Sequence, residues 1–356
     1  KVLRALFGSA VVRLHGSRDY FSLVHESIQY EFVPVLRIAL PKDAQNITDA
    51  SPLHVTWVQK HLKKNPALAD DIILAKAFCK AQRVYGAESF LKGFSGHVLD
   101  ILIIHYQGFV PFLEHAQNWN DTEVIDHENH HKGRVRDELN ASKMHSPLIL
   151  VDPIQPDRNA AAALDNSNYC AFKKAAHDFL AKPSLSFFAR KKITLAQLRK
   201  KKGTNTLLVI EVVPPEGKKD VVGCKLLKIF EFFTASLAEH EFAPLGQGWE
   251  WDGKNHAFIW LILDSLPLPA SVEIPGPPVT NAIHAARFKK AHPRTTARKG
   301  RLYAREPRPF RTPEPLITSL LTTAYVKERC RSISLTIYTK TRKKTMRVSN
   351  NSNSQQ

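Results

Sequence analysis

Residues 151–188, VDPIQPDRNAAAALDNSNYCAFKKAAHDFLAKPSLSFF, join a proline-stiffened turn to an amphipathic helix and constrain this chain more than any other stretch. Pro153 and Pro156 fix φ and remove donors, so the loop has few conformations open to it. It offers Asp152, Asp157, Arg158 and Asn159 from one short piece of backbone, a set suited to a ligand with several acceptors, such as a nucleotide. Behind it Phe172, Ala175, Ala176, Phe179 and Leu180 fall at i, i+3, i+4, i+7 and i+8, which predicts a helix over 169–181 with one buried face.

A chain of 356 residues can bury more than one core and divide into two or three domains. Its net charge of +18 attracts polyanions and favours encounter with nucleic acid, although a generally basic proteome or a basic tail gives the same excess. Cys79, Cys170, Cys224 and Cys330 are scattered without a CxxC pair, so neither a disulfide framework nor a cysteine zinc site is expected, and a reducing cytoplasm is. No apolar run approaches the ~18 residues that span a bilayer. The start at Lys1, without a signal-like segment, suggests a processed, truncated or fragmentary chain.

Extended patterns fill 11–38, where Ile28, Tyr30 and Phe32 alternate with Glu31 on the opposite face. Ser51-Pro52 reads as a helix start with a serine cap. A second helix over 70–84 places Ile73, Ala77, Ala81 and Val84 near one face with Phe78 beside them, and Tyr85-Gly86 ends it. Residues 94–119 are apolar, with Gly96 and Gly108 as close-packing points, and 126–146 read as an exposed, histidine-rich connection. A basic linker with a short helix (189–203) precedes a strand (206–213), a helix (223–240) and a strand (256–264). That order suggests a small α/β sandwich of the RNA-recognition type or another α/β module. Beyond a proline-rich boundary at 266–278, residues 287–311 are densely basic, and 340–356 turn basic and then polar, as a disordered end would. The expected architecture is α+β and multidomain: 1–48, 49–190, 191–270 and a basic tail, 271–356.

His127, His130 and His131 lack cysteines or paired carboxylates at ligand spacing and read as a solvated loop. No P-loop, dinucleotide fingerprint or GxSxG elbow occurs. Gly8-Ser9 has the look of a nucleotidyltransferase loop, but no D-x-D or D-x-E follows it.

Four groups carry a more specific signal. They are Ser51-Pro52-Leu53-His54 with Trp57; Lys76 followed by Tyr85-Gly86-Ala87-Glu88 and Gly93-Phe94-Ser95-Gly96; Asp152-Pro153 through Arg158-Asn159; and Pro183-Ser184-Leu185 with Phe187-Phe188. In this order they resemble the archaeal-type (class I) CCA-adding enzymes, the tRNA nucleotidyltransferases, most closely over 49–188. Tyr20 to Leu36, and Gly276-Pro277-Pro278 with Phe288, extend the likeness more loosely.

The resemblance implies a polymerase-β-like palm remnant at 1–48, a helical central domain at 49–190, an α/β body and a basic RNA-binding tail. It implies addition of CCA to the tRNA 3′ end from CTP and ATP, and it marks Ser51, His54, Lys76, Tyr85 and Arg158 as nucleotide-binding. The charges suit that role, since a triphosphate needs cations at fixed points and Arg158 can grip two acceptors at once. The family's palm holds two Mg²⁺ on three carboxylates; here Glu31 stands at the third, as catalytic and metal-binding residue, and the segment for the other two is missing. A truncated gene, a separate palm-bearing chain or a degenerate copy would each explain this, and homodimerisation stays open. The regions after residue 190 are implied to grip the acceptor and TΨC arms of tRNA. The alternatives are a non-catalytic tRNA- or structured-RNA-binding protein on the same scaffold and another polymerase-β-like transferase.

Overall fold

In the computed structural model, which describes residues 1–15, 18–190, 193–340 and 342–349, the chain is α+β and falls into two units, 1–191 and 192–356. The first unit starts with a short helix, α1 (Val2–Phe7), and an antiparallel three-stranded sheet of β1 (Val12–Leu14), β2 (Tyr20–His25) and β3 (Ile28–Phe32). Glu26 and Ser27 both take positive φ, 49° and 65°, giving the tight two-residue hairpin that suits the strands' twist. β3 is exposed along its whole length, so the alternation at Ile28, Tyr30 and Phe32 does not mark a buried face.

Asp49 ties the following linker down. Fully buried, it accepts from the backbone N–H of Leu36 (2.8 Å), Gln45 (3.2 Å) and Asn46 (3.0 Å) and pairs with Arg18 at 2.8 Å. Burial alone would raise its pKa; the backbone donors and Arg18 more than offset this and hold it below the ordinary carboxylate value. Asn46 and Asp49 form a capping box whose turn runs into α2 (Ser51–Lys64). Ser51 is therefore the first helical residue, not the cap expected from Ser51-Pro52.

The core of this unit is built by α3 (Leu68–Ala81), α4 (Gly96–Tyr106), α5 (Phe109–Ala116), a parallel strand pair β4 (Glu123–Ile125) and β5 (Leu148–Leu150), the single turn α6 (Val135–Glu138) between them, and α7 (Asn166–Ala181). Phe78, Phe94, Phe112 and Phe172 are fully buried together, and Phe187 stacks on Phe78. The buried stripe of α3 is Leu68, Ile72, Ala75, Phe78 and Cys79, whereas Ile73 is 64% exposed. Of the expected face, Ala81 and Val84 are buried and Ala77 is half-buried; Ile73 alone departs from it, because the large Phe78 ring sets the direction of burial along the helix. Between α4 and α5 the chain turns by 94° at Gln107 (φ 59°) and Gly108 (φ 148°), where a Cβ would come within 3.3 Å of the Asp71 carboxylate. The expected helix at 169–181 is present, begins three residues earlier, and is capped by Asp165.

The histidine-rich connection is folded rather than solvated. Val135 and Leu139 pack with Ile149 and Val151, and His131 is buried.

In the second unit α8 (Leu195–Lys202) leads into β6 (Thr206–Val213), α9 (Lys219–Glu239), β7 (Gly246–Trp251) and β8 (Ala257–Leu263). A second sheet follows, from β9 (Ser271–Pro278), α10 (Ala282–Ala291), β10 (Thr295–Arg298) and β11 (Arg301–Pro307) in the order β10-β11-β9. The chain then returns through α11 (Pro313–Leu321) and α12 (Ala324–Lys327) to β12 (Ser332–Tyr338) and β13 (Lys343–Ser349). The five-stranded sheet runs β13-β12-β6-β8-β7, antiparallel throughout.

Two-residue periodicity sorts its faces. Leu208, Ile210 and Val212 face α9 and α11, while Leu207 and Val209 join Leu198 of α8, Trp260 and Ile262 on the other side. The strand-helix-strand pattern at 206–264 is realised, but the unit does not close at 270. β12, with Ile333, Leu335 and Ile337 on the buried face, pairs with β6 along its full length, so residues 271–349 are integral to the fold and not a tail. Of the expected disordered end, 340–356, residues Lys343–Ser349 instead form β13 on the edge of the sheet, paired with β12; the part from 350 onward lies outside the described residues. Among the described residues no single helix is long and apolar enough to cross a membrane.

Candidate functional site

The turn at 152–158 is held from within. Asp152 Oδ1 accepts from Ile154 N (2.9 Å) and Gln155 N (3.1 Å), and Arg158 N donates to the Gln155 carbonyl (2.9 Å). Of its four polar side chains, two are consumed by the fold. Asn159 is buried, accepting from Leu150 N and Ala161 N and donating to the Lys143 and Leu148 carbonyls. Asp152 is also buried, with His54 Nε2 2.9 Å and Arg158 Nη1 2.9 Å from its carboxylate. Burial would raise the Asp152 pKa, but the His54 hydrogen bond and charge, the Ile154 N–H and Arg158 together pull it to about 2. The carboxylate therefore stays ionised and fixes the orientation of both His54 and Arg158. Histidines support the turn from below: His130 Nε2 lies 3.1 Å from the Pro153 carbonyl, and His131 spans the Pro156 carbonyl and Glu138. These two acceptors, Pro156 first, raise the His131 pKa.

The Arg158 side chain is 37% exposed, and its contact with Asp152 is its only side-chain hydrogen bond among the described residues. Its guanidinium lines an open cleft of about 530 Å³ between linker residues 41–46 and the turn.

Opposite it, α4 begins with Ser95 accepting from Val98 N at 3.1 Å. Lys76 on α3 reaches to 2.8 Å from Asp100, the fifth residue of α4, and remains 30% exposed. Burial raises the Asp100 pKa, with Lys76 acting against it. Tyr85 sits in a tight loop in which Gly86 N donates to the Phe94 carbonyl and Phe94 N to the Val84 carbonyl. Its hydroxyl is directed at the start of α4, so that a Cβ on Gly96 would lie 3.1 Å from it and 3.6 Å from Lys76 Cε. Glycine is therefore required there for close approach and not for a special φ. Gly96→Ala is expected to keep the fold, changing stability by about 1 kcal/mol or less, while displacing the Tyr85 hydroxyl by a few tenths of an ångström. Thermal melting together with CTP titration checks this: affinity should fall several-fold with little change in midpoint.

At the centre stands His97, a residue the sequence reading missed. Its ring is 4.3 Å from that of His54, and its Nε2 is buried without a hydrogen-bond partner among the described residues. Burial first, then the charges of His54, Arg158 and Lys76, lower its pKa to about 4 against the pull of Asp152. It is neutral at physiological pH and presents a ring nitrogen among cations. Its position immediately after Gly93-Phe94-Ser95-Gly96 was the available signal.

The five residues that the sequence reading marks as nucleotide-binding thus divide. The His54 ring lies beside His97, the charges of Lys76 and Arg158 act on it, Tyr85 is directed at the neighbouring Gly96, and Ser51 lies exposed at the first position of α2, one turn before His54. Glu31 is elsewhere, exposed on β3 opposite Ser22, in a cleft where Lys1, Arg4 and Arg13 are the other charged groups. Among the described residues it belongs to neither of the two clusters of metal-ligating side chains, which are His54, His97, Asp152 and His61, His127, Glu128.

Two family models match this chain. Residues 70–189 match the tRNA nucleotidyltransferase second domain, and 202–333 the CCA-adding enzyme C-terminal domain, one in each structural unit. Among curated relatives, the CCA-adding enzyme of Nanoarchaeum equitans is 32% identical over 82% of this chain and 70% of its own length. That of Methanosarcina mazei is 31% identical over 77% and 59%, and that of Methanothermobacter thermautotrophicus 28% over 88% and 68%. The chain belongs to the CCA-adding enzyme family. It spans between 59% and 70% of the length of these three relatives.

Proposed function

We propose that this chain supplies the nucleotide-holding and tRNA-gripping parts of a CCA-adding tRNA nucleotidyltransferase that uses CTP and ATP. The convergence of Lys76, Tyr85, Arg158 and the N-terminus of α4 on His97 carries the reading. Free N–H groups at a helix N-terminus attract phosphate. Lys76 adds a point charge beside them and Arg158 a fork of donors. Tyr85 donates a hydroxyl, and His54, oriented by Asp152, with neutral His97, offers ring edges to a base or ribose. Ser51 adds a hydroxyl at the rim.

In this reading 1–48 is what the chain holds of a polymerase-β-like palm, 49–190 is the nucleotide-binding neck, and the second unit is an RNA-recognition-like body. Its strand-helix-strand-strand-helix-strand course, interrupted by the β9–β11 sheet, supports that. Arg199, Lys200 and Lys201 of α8 and Lys289 and Lys290 of α10 provide charge for the tRNA backbone. A tRNA substrate places this work in the cytoplasm.

The Mg²⁺ pair of such an enzyme would activate the tRNA hydroxyl and neutralise the leaving pyrophosphate. Glu31 alone, in a cleft otherwise cationic, does not fit a two-ion site, so no step is assigned to metal here. We take Glu31 as one catalytic, metal-binding carboxylate of a set completed by a second copy, a separate palm-bearing chain or additional sequence.

Incubation with tRNA lacking CCA, labelled CTP and Mg²⁺ tests the reading. Expected are tRNA binding that weakens steeply with salt, and saturable CTP binding competed by ATP. Binding of tRNA with no affinity for either nucleotide would leave a non-catalytic RNA-binding protein on this scaffold and overturn it.

A further inference from the structure

Beyond the nucleotide cluster, a second group of ligating side chains lies about two helical turns along α2 from His54. His61 Nε2 and His127 Nε2 each stand 3.9 Å from Glu128 Oε1. All three ligand atoms lie within 4.8 Å of one another. Around a tetrahedral zinc ion, with bonds near 2.0–2.1 Å, neighbouring ligand atoms sit about 3.3 Å apart, so the separations must shorten by roughly 0.5 to 1.5 Å, within reach of side-chain rotation, to close the set. The spacing of 127, 130 and 131 in sequence concealed this, because the partners come from α2 and from residue 128 rather than from the other two histidines.

The surroundings are those of a ligand set. His127 Nδ1 is 3.3 Å from His105 Nδ1 on α4, which leaves its Nε2 directed at the other two groups. Trp57 Nε1–H donates to Glu128 Oε1 at 2.7 Å, restraining the carboxylate. Partners of this kind orient metal-bound histidine and carboxylate and raise ligand strength. His61 and His127 are largely shielded, with side chains 19% and 17% exposed, while Glu128 at 36% keeps the site open to entry. The donor set, two imidazoles and one carboxylate, suits zinc and differs from the all-oxygen shell of Mg²⁺.

We propose that His61, His127 and Glu128 bind one zinc ion, with water in the fourth position, and so clasp α2 to the loop after β4. The role is structural: the same loop supports the 152–158 turn through His130 and His131.

The test uses the whole chain with Zn²⁺, or Co²⁺ as its visible substitute. One equivalent of zinc should survive desalting, and Co²⁺ should give the intense visible bands of a tetrahedral complex. Trp57→Phe, which removes one supporting N–H, should weaken Zn²⁺ about 10-fold, and His61→Gln and His127→Gln by more than about 100-fold. Control variant His177→Gln, exposed on α7, should bind as the parent does. Glu128→Gln, at an exposed position, decides the matter should the histidine variants fail to fold. Less than one tenth of an equivalent bound, or parental affinity in Glu128→Gln, would overturn the proposal.

Discussion

Asp152→Ala is expected to destabilise the first unit by about 3 kcal/mol, the lower end of the range for breaking a buried ion pair, because Arg158 is partly solvated. The substitution strips the counter-ion from Arg158 and the hydrogen-bond acceptor from His54, and it leaves the Ile154 and Gln155 N–H groups without their carboxylate. Urea denaturation followed through the tryptophans measures it. The conservative Asp152→Asn keeps the shape and isolates the charge. Since the folded pKa, about 2, lies below the ordinary aspartate value of 3.8, the charge stabilises above pH 4 and its contribution is lost as pH falls through 2. A shift of that size corresponds to about 2 kcal/mol, so wild type and Asp152→Asn should differ by that order at pH 7 and converge near pH 2. An unchanged gap across that window would mean that the carboxylate is not held as described.

The second large effect concerns ligand binding. Lys76→Ala and Arg158→Ala should each weaken CTP and ATP binding by roughly 10- to 100-fold, as expected for losing a charge-assisted hydrogen bond of about 1.5–3 kcal/mol. Lys76 is paired with Asp100, so its loss also leaves a largely buried carboxylate whose pKa is already raised; part of the effect will then appear as altered packing of α3 on α4. Lys76→Arg separates the two contributions by keeping the charge. Arg158→Lys does the same for the fork, and it should recover only part of the affinity, since an ammonium cannot make two parallel contacts. Calorimetric titration with each nucleotide, at matched folded fractions by circular dichroism, reads the outcome.

Much of this was legible in the sequence because local rules dominated. The 169–181 helix carried its periodicity through five apolar positions, and β6 was bounded correctly by an apolar run that only Glu211 interrupts after Thr206. In α3 the burial of Ala81 and Val84 was legible but the exposure of Ile73 was not, since two apolar stripes compete along the first turns and only the tertiary position of Phe78 selects one. Residues 271–349 looked like a tail because their charge masked short strands; β12 becomes a strand by pairing with β6, a contact across more than a hundred residues. At the site, the residues proposed to bind nucleotide were read from their order along the chain. What order could not give was the division of labour within DPIQPDRN: Asp152 and Asn159 look as available as Arg158 in sequence, and burial assigns them to scaffolding. His97 escaped for the opposite reason, since its significance arises only where four distant elements meet.

That meeting point is the central claim, and the histidine side-chain resonances test it most directly. With the imidazole nitrogens labelled, titration of the intact chain with CTP or ATP should shift His54 and His97 together while His177, exposed on α7, stays in place. Nucleotide binding that leaves both His54 and His97 unmoved would contradict the account.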